Sequence, residues 1–323
     1  MTDATQCQCC GQTLPSPMRH LGPGQARPGA TPQLANNARV LLASLSRMPA
    51  SRSPRTSRRL PTPANHQPDW SDLRAPNAWL LMLEGRAPWE YAALLATLPW
   101  MKKLPEGDGH PVLVFPGLGA NDLTTAPLRA MLGSLGYATQ PWGQGFNFGP
   151  RTGVLEQAKA DLQALYRRHH RKVSLIGWSL GGIYARELAK ELPELTRCVI
   201  TLGTPFTGHP RATNAWRFFE MVSGQTVADD HELMAQIRTA PPVPTTSIYS
   251  KTDGVVAWRC SVNEPSPMAE NIEVQASHIG LGVNPIALYA LADRLAQPDG
   301  DWQPFEPKGA RRWFYKTPTS SAE

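Results

Sequence analysis

Val173-Ser174-Leu175-Ile176-Gly177-Trp178-Ser179-Leu180-Gly181-Gly182 begins as a short apolar run and passes without a spacer into a helix-forming stretch, Ile183 to Leu192. A strand–turn–helix junction with Ser179 at the bend and a glycine two residues to either side has the wiring of a nucleophile elbow. A serine hydroxyl is a poor nucleophile until a base takes its proton, and a sharp turn holds it where base and substrate both reach it. The pentapeptide alone is weak: with Gly and Ser each at roughly 7% of positions, a chain this long contains Gly-x-Ser-x-Gly by chance about one time in ten. The surrounding chain has to carry the rest.

Upstream, His110-Pro111 introduces Val112-Leu113-Val114-Phe115, too apolar for a wet face, and the run ends at Pro116-Gly117-Leu118-Gly119. Buried parallel strands look like this. A helix is expected from about Thr125 to Leu135, a short strand from Tyr137 to Pro141, and a helix from Val154 to Arg168 with Leu155, Ala158, Leu162 and Leu165 at helical spacing. Downstream come strands at Cys198–Leu202, Thr246–Ser250 and Ile272–Val274 and a closing helix, Pro285 to Leu295. The alternation implies an α/β fold, a mostly parallel sheet covered by helices on both faces. Such sheets bind ligands at the carboxyl ends of their strands.

A nucleophilic Ser179 needs a base and an orienting acid at those same ends. Asp253 follows the strand Thr246–Ser250, and His278 follows the strand ending at Val274. The order Ser, Asp, His differs from that of the chymotrypsin and subtilisin types. From about Val112 to Leu295 the chain resembles an α/β-hydrolase and is similar to bacterial lipases and esterases within that superfamily. Phe115-Pro116-Gly117-Leu118-Gly119 stands where those enzymes have a His-Gly oxyanion loop, Gly177 to Gly182 matches their elbow, and Thr201-Leu202-Gly203-Thr204-Pro205 resembles their Thr-Pro turn. Pro116 replaces the His of many relatives, and the family's first strands have no visible counterpart. The resemblance, taken with the chemistry, implies Ser179 as nucleophile, His278 as base and Asp253 as its orienting acid, with the backbone N–H groups of Leu118 and Leu180 facing the oxyanion.

Between Thr207 and Val243 the chain is longer than a plain crossover requires, which marks a helical cap at about 207–243. Trp216, Phe218, Phe219 and Val222 form one apolar face, and a second helix is expected to begin at Asp229 with Glu232. These faces either pack on the core or form a short apolar lid. Gly117, Trp178, Phe206, Trp216 and Phe219 are the expected substrate contacts. His209 is a lesser candidate for the base.

The remaining chain divides by composition into 1–69, an Arg/Pro/Ser-rich tail; 70–110, helical stretches at Asn77–Glu84 and Pro88–Leu98 packed outside the sheet; the domain 111–297; and a basic-aromatic tail, 298–323. Residues 1–69 hold eight arginines against two aspartates, which accounts for the net charge of +6, while the other 254 residues balance 24 Lys and Arg with 24 Asp and Glu. The tail lacks the apolar content to fold. It holds no secretory h-region, though its Arg-rich, acid-poor start also suits an organelle transit peptide. Cys7, Cys9 and Cys10 find a fourth metal ligand only in distant His20, so no metal is expected. Cys198 and Cys260 read as unpaired thiols, which fits the cytoplasm.

The expected partner is a small ester with a lipid-like or apolar acyl group, with no cofactor, no nucleic acid and no stable membrane insertion. The expected activity is carboxylic ester hydrolysis through an acyl-enzyme. Thioesterase or acyltransferase action would use the same intermediate, and a binding module without turnover is a third reading.

Overall fold

The computed structural model describes residues 73–101, 104–209, 211–224 and 231–315. Among them six strands form one parallel sheet: β1 (Pro111–Phe115), β2 (Ala138–Pro141), β3 (Val173–Trp178), β4 (Thr196–Leu202), β5 (Thr245–Tyr249) and β6 (Ala269–Glu273). Their order is β2-β1-β3-β4-β5-β6, parallel at each pairing. The chain therefore leaves β1 for one side and returns to the other, and the switch lies beside Gly117 and Ser179. The Cys7–Cys9–Cys10 cluster, the tail 1–69 and Asp229 lie outside the described residues.

Burial on both faces follows from residue alternation. Val112 and Val114 of β1, with Ile176 and Ile200 of the next strands, enter one apolar core with Leu128 and Leu132 of α3 (Asp122–Ser134) and Leu288 and Leu291 of α8 (Pro285–Leu295). Leu113, Phe115 and Leu175 enter the other with Leu155 and Leu162 of α4 (Val154–His169) and Leu188 of α5 (Leu180–Glu191). Each fully buried Leu or Ile contributes roughly 1.5–3 kcal/mol of transfer free energy. Helix α3 starts three residues before its apolar periodicity does, because the Asn121 side chain accepts the Leu123 N–H and caps it. Helix α4 ends at His170 in a left-handed conformation (φ 51°), and its cationic last turn faces the helix's negative end.

Upstream of β1, α1 (Ala78–Met82) is capped by Asn77 and continues through a 3-10 turn, Leu83–Arg86, into α2 (Ala87–Met101). Leu94 and Met101 join the core beneath α8, while Trp89 and Trp100 stay exposed. Where composition suggests a loose carboxyl end, Phe305 and Tyr315 are buried and the Tyr315 hydroxyl donates to the Ile286 carbonyl of α8. Two aromatic rings against Tyr289 bury enough area to order residues their charge alone would leave in water.

The segment after β4 carries α6 (Trp216–Ser223) and α7 (His231–Arg238). Arg186 of α5 donates to the Arg238 and Thr239 carbonyls, and Lys190 donates to those of Gln236 and Ile237. Two cations thus satisfy the orphan carbonyls of α7's last turn and fasten it to α5. No helix of the described residues is long and apolar enough to cross a membrane.

Candidate active site

Ser179 follows β3 directly and holds φ 51°, ψ −125°. A non-glycine residue in that region costs on the order of 1–3 kcal/mol and persists only where neighbours over-determine it. Here they do: the Ser179 N–H donates to the Leu202 carbonyl of β4 (2.8 Å), and the Ser179 carbonyl accepts from Gly182 N–H (3.0 Å). Any side chain at Gly181 would run into the Phe115 carbonyl, and one at Gly182 into Thr204. The glycines let α5 start hard against β1 and β4, and that close approach sets the bend.

Asp253 follows β5 and His278 follows β6, and the two are buried together. His278 Nδ1 lies 2.6 Å from Asp253 Oδ2, while Asp253 Oδ1 accepts the Val255 and Val256 N–H groups at 2.8 and 2.7 Å. Both carboxylate oxygens are therefore used, and the ring's orientation is set by Nδ1, which leaves Nε2 for other work. Burial pushes the imidazole pKa down, but the Asp253 and Glu84 carboxylates outweigh it, and the net direction is up from 6.5.

Neighbours of the serine touch this pair from two sides. Gly203, just after the Leu202 that holds Ser179, takes φ 57°, and a Cβ there would sit 3.0 Å from His278 Nδ1 and 3.2 Å from Asp253 Oδ2. Trp178, just before the serine, donates its indole N–H to the His278 carbonyl (3.0 Å). On the third side is Gly117, whose Cβ would lie 3.2 Å from that of Ser179.

Leu118 is half-buried in a loop clamped by Asn147, a fully buried residue that sequence reasoning missed. Asn147 Nδ2 donates to the Pro116 carbonyl (2.8 Å), its carbonyl accepts the Gly119 N–H (2.7 Å), and its N–H donates to Ala120 (2.8 Å). Phe218 of α6, also missed as a contact of this loop, packs onto Gly119. Replacing Asn147 by Ala strands the buried Pro116 carbonyl. The expected loss is about 1–3 kcal/mol of stability, read by urea denaturation; an unmoved midpoint would remove the clamp from this account.

The other expected contacts fall in different places. Phe206 is buried with the Arg186 guanidinium 3.8 Å above its ring, so it packs inside the domain. Trp178 serves the His278 loop as a strut. Trp216 and Phe219 are half-buried on α6, the first beside Arg211 and Arg217, the second against Gly149. His209 Nδ1 accepts the Arg211 N–H, a turn-forming contact.

A second Ser–His–Asp set exists at the opposite end of the sheet. His110 lies 2.5 Å from Asp108 through Nδ1 and 2.8 Å from Ser174 Oγ through Nε2. Burial pushes the His110 pKa down to about 4, and Ser174 has no exposed surface. These groups tie the starts of β1 and β3, with His110 and Ser174 fully buried. A cavity lined by Arg197, Cys198, Thr246, Arg294 and Trp302 also opens at that end, with Arg197 committed to Asp108 and Arg294 to Glu270 and Asp293.

A family model described as "Alpha/beta hydrolase family" matches residues 112–316. No curated protein matches the chain. Among solved structures, lipase B of Aspergillus fumigatus is 19% identical over 60% of this chain and 54% of its own (TM-score 0.46), so the match spans about half of that lipase. Monoacylglycerol lipase of Paleococcus ferrophilus is 14% identical over 60% and 96% (TM-score 0.44), and lipase BlEst2 of Bacillus licheniformis 16% over 59% and 94% (TM-score 0.44).

Proposed function

This chain belongs to the alpha/beta hydrolase family, and on that premise we propose that it cleaves carboxylic esters with apolar acyl groups through an acyl-enzyme on Ser179. His278 Nε2 takes the Ser179 proton as Oγ attacks the ester carbonyl, and returns it to the departing alkoxide. Water then attacks the acyl-enzyme with the same base. Asp253 keeps the proton on Nδ1 and stabilises the imidazolium. The N–H groups of Leu118 and Leu180 receive the oxyanion, each such donor being worth about 3–4 kcal/mol in transition-state stabilisation.

The observation behind this reading is the strained Ser179 backbone, packed against Gly117 and adjoining Trp178, which donates to the His278 carbonyl of the buried Asp253–His278 pair. Preference for apolar acyl groups rests on the rim: Phe218 and Met221 of α6, Phe146 before Asn147 and Ile279 after His278 all expose large apolar side chains. Exposed apolar side chains beside convergent polar groups suit an acyl chain.

Labelling with a fluorophosphonate, followed by a panel of p-nitrophenyl esters of rising chain length, tests both parts. The expected result is one label on Ser179 and turnover that rises with acyl length beyond acetyl. An unlabelled serine would overturn the mechanism, and indifference to acyl length the apolar preference. Adding alcohol or thiol acceptors separates hydrolysis from transfer, which draws on the same acyl-enzyme. The pH profile has a fixed sign: His278 works neutral and its pKa is raised, so kcat/KM should fall on acidification with a midpoint above pH 6.5. A midpoint well below 6 would contradict the assigned base.

A further inference from the structure

Residues 83–90 lie ahead of the family match, yet they touch both loops that carry the Asp253–His278 pair. Glu84, in the turn between α1 and α2, is buried. Its Oε1 accepts the Gly254 N–H (2.7 Å) and the His278 N–H (2.9 Å), and its Oε2 accepts the Ile279 N–H (2.9 Å). One carboxylate is thus bonded to the residue after Asp253 and to the backbone of His278 itself. Flanking bonds extend the attachment. Arg86 donates to the carbonyl and hydroxyl of Thr252 (3.0 and 2.7 Å), and Glu90 accepts the N–H and hydroxyl of Ser277 (2.8 and 2.9 Å). The fit is close: a side chain at Gly254 would collide with the Leu80 carbonyl, and one at Gly280 with the Glu90 carboxylate.

A buried carboxylate is costly to desolvate, and hydrogen bonds from several backbone donors offset that cost. An apolar side chain would avoid that cost but would leave the Gly254, His278 and Ile279 N–H donors unpaired, at about 1–3 kcal/mol each. The carboxylate does two things an apolar residue cannot: it fixes two loops to one another through three donors, and it sets a negative charge near the imidazole.

We propose that the turn Leu83–Arg86 is a brace for the candidate active site and that Glu84 is a positioning residue, holding the Asp253 and His278 loops in register and favouring the imidazolium formed during acyl transfer. The inference rests on the acyl-enzyme reading above. It adds that catalysis by this chain depends on a segment outside the part matched to its family. The charged groups around the imidazole are Asp253 and Glu84; Arg86 and Glu90 pair with one another (3.1 Å) further out, and the Cys260 thiol lies within electrostatic reach of Asp253.

The test uses the full chain with Glu84→Gln and Glu84→Asp. Glu84→Gln keeps the volume, removes the charge and turns an N–H₂ toward at least one backbone donor. It should lower kcat about ten- to hundredfold, the scale of a small misplacement of reacting groups, with KM within about twofold, since binding groups are untouched. It should also move the acidic midpoint of kcat/KM to lower pH, which a strut without charge would not do. Glu84→Asp retains the charge one methylene short, so its acidic midpoint should stay at the parental value while kcat remains reduced. Parental kcat and midpoint in folded Glu84→Gln would overturn the proposal. If Glu84→Gln does not fold, parental kcat in Glu84→Asp overturns it instead. Fluorophosphonate labelling of the unaltered chain separates the two ideas: labelling with unaffected Glu84 variants sinks the brace alone, and failure to label sinks the acyl-enzyme reading beneath it.

Discussion

Ser179→Ala is expected to lower kcat for p-nitrophenyl ester hydrolysis by at least about 10⁴-fold while the protein stays folded. The substitution removes the atom that forms the acyl bond. What remains is water attacking an ester held near oxyanion donors, a route that retains only a small part of an acyl-enzyme's advantage. Folding should survive because the bend is set elsewhere, by the Leu202 and Gly182 backbone bonds and by the close approaches at Gly181 and Gly182. Alanine pays the same strain at φ 51° that serine does. Circular dichroism melting within a few degrees of the parent, beside lost turnover, is the expected pair of measurements. Parental turnover in the purified variant would remove Ser179 from the mechanism.

Asp253→Asn should cost about 10⁴-fold in kcat, the scale at which a wrong imidazole tautomer acts. Asp253 accepts on both oxygens: Oδ2 faces His278 Nδ1, and Oδ1 faces the Val255 and Val256 N–H groups. An amide can accept on one side only. If its N–H₂ faces Nδ1, the imidazole proton is driven to Nε2, which can then no longer accept from Ser179. If it faces the loop, two backbone donors meet a third donor and the loop is disturbed. The charge that raises the His278 pKa is lost in either orientation, so the residual activity should titrate at lower pH than the parent's. A variant with more than a tenth of parental kcat at neutral pH would show that Asp253 does not orient the base.

Strand and helix identities were readable because the signals are local. Val112 to Phe115 is apolar at every position and is buried at every position, and Leu155, Ala158, Leu162 and Leu165 sit one turn apart and face one core. Asp253 and His278 meet at 2.6 Å, and Ser179 lies at the carboxyl end of β3 on the same edge, since a parallel sheet delivers every strand's carboxyl end to one edge. Substrate contacts were the weaker part. Phe206 is an expected substrate contact, but nothing nearby in the chain announces that Arg186 occupies its ring face. Asn147 looks like any loop asparagine until its burial against Pro116 and Gly119 is known.

Sequence by itself determined the wiring: strands alternating with helices in a mostly parallel sheet, and Ser, Asp and His in that order, each after its own strand, because periodicity and turn chemistry act over a few residues. Tertiary structure decided what the wiring is attached to. It buries His110 and Ser174 at the opposite end of the sheet with Asp108 beside them at the surface, where a similar trio of residue types ties strands together. It also brings Glu84 to Gly254 and His278, 170 and 194 positions away in the chain. A carboxylate's partners are chosen by which backbone donors folding leaves unsatisfied within 3 Å of it, and no local pattern encodes that distance.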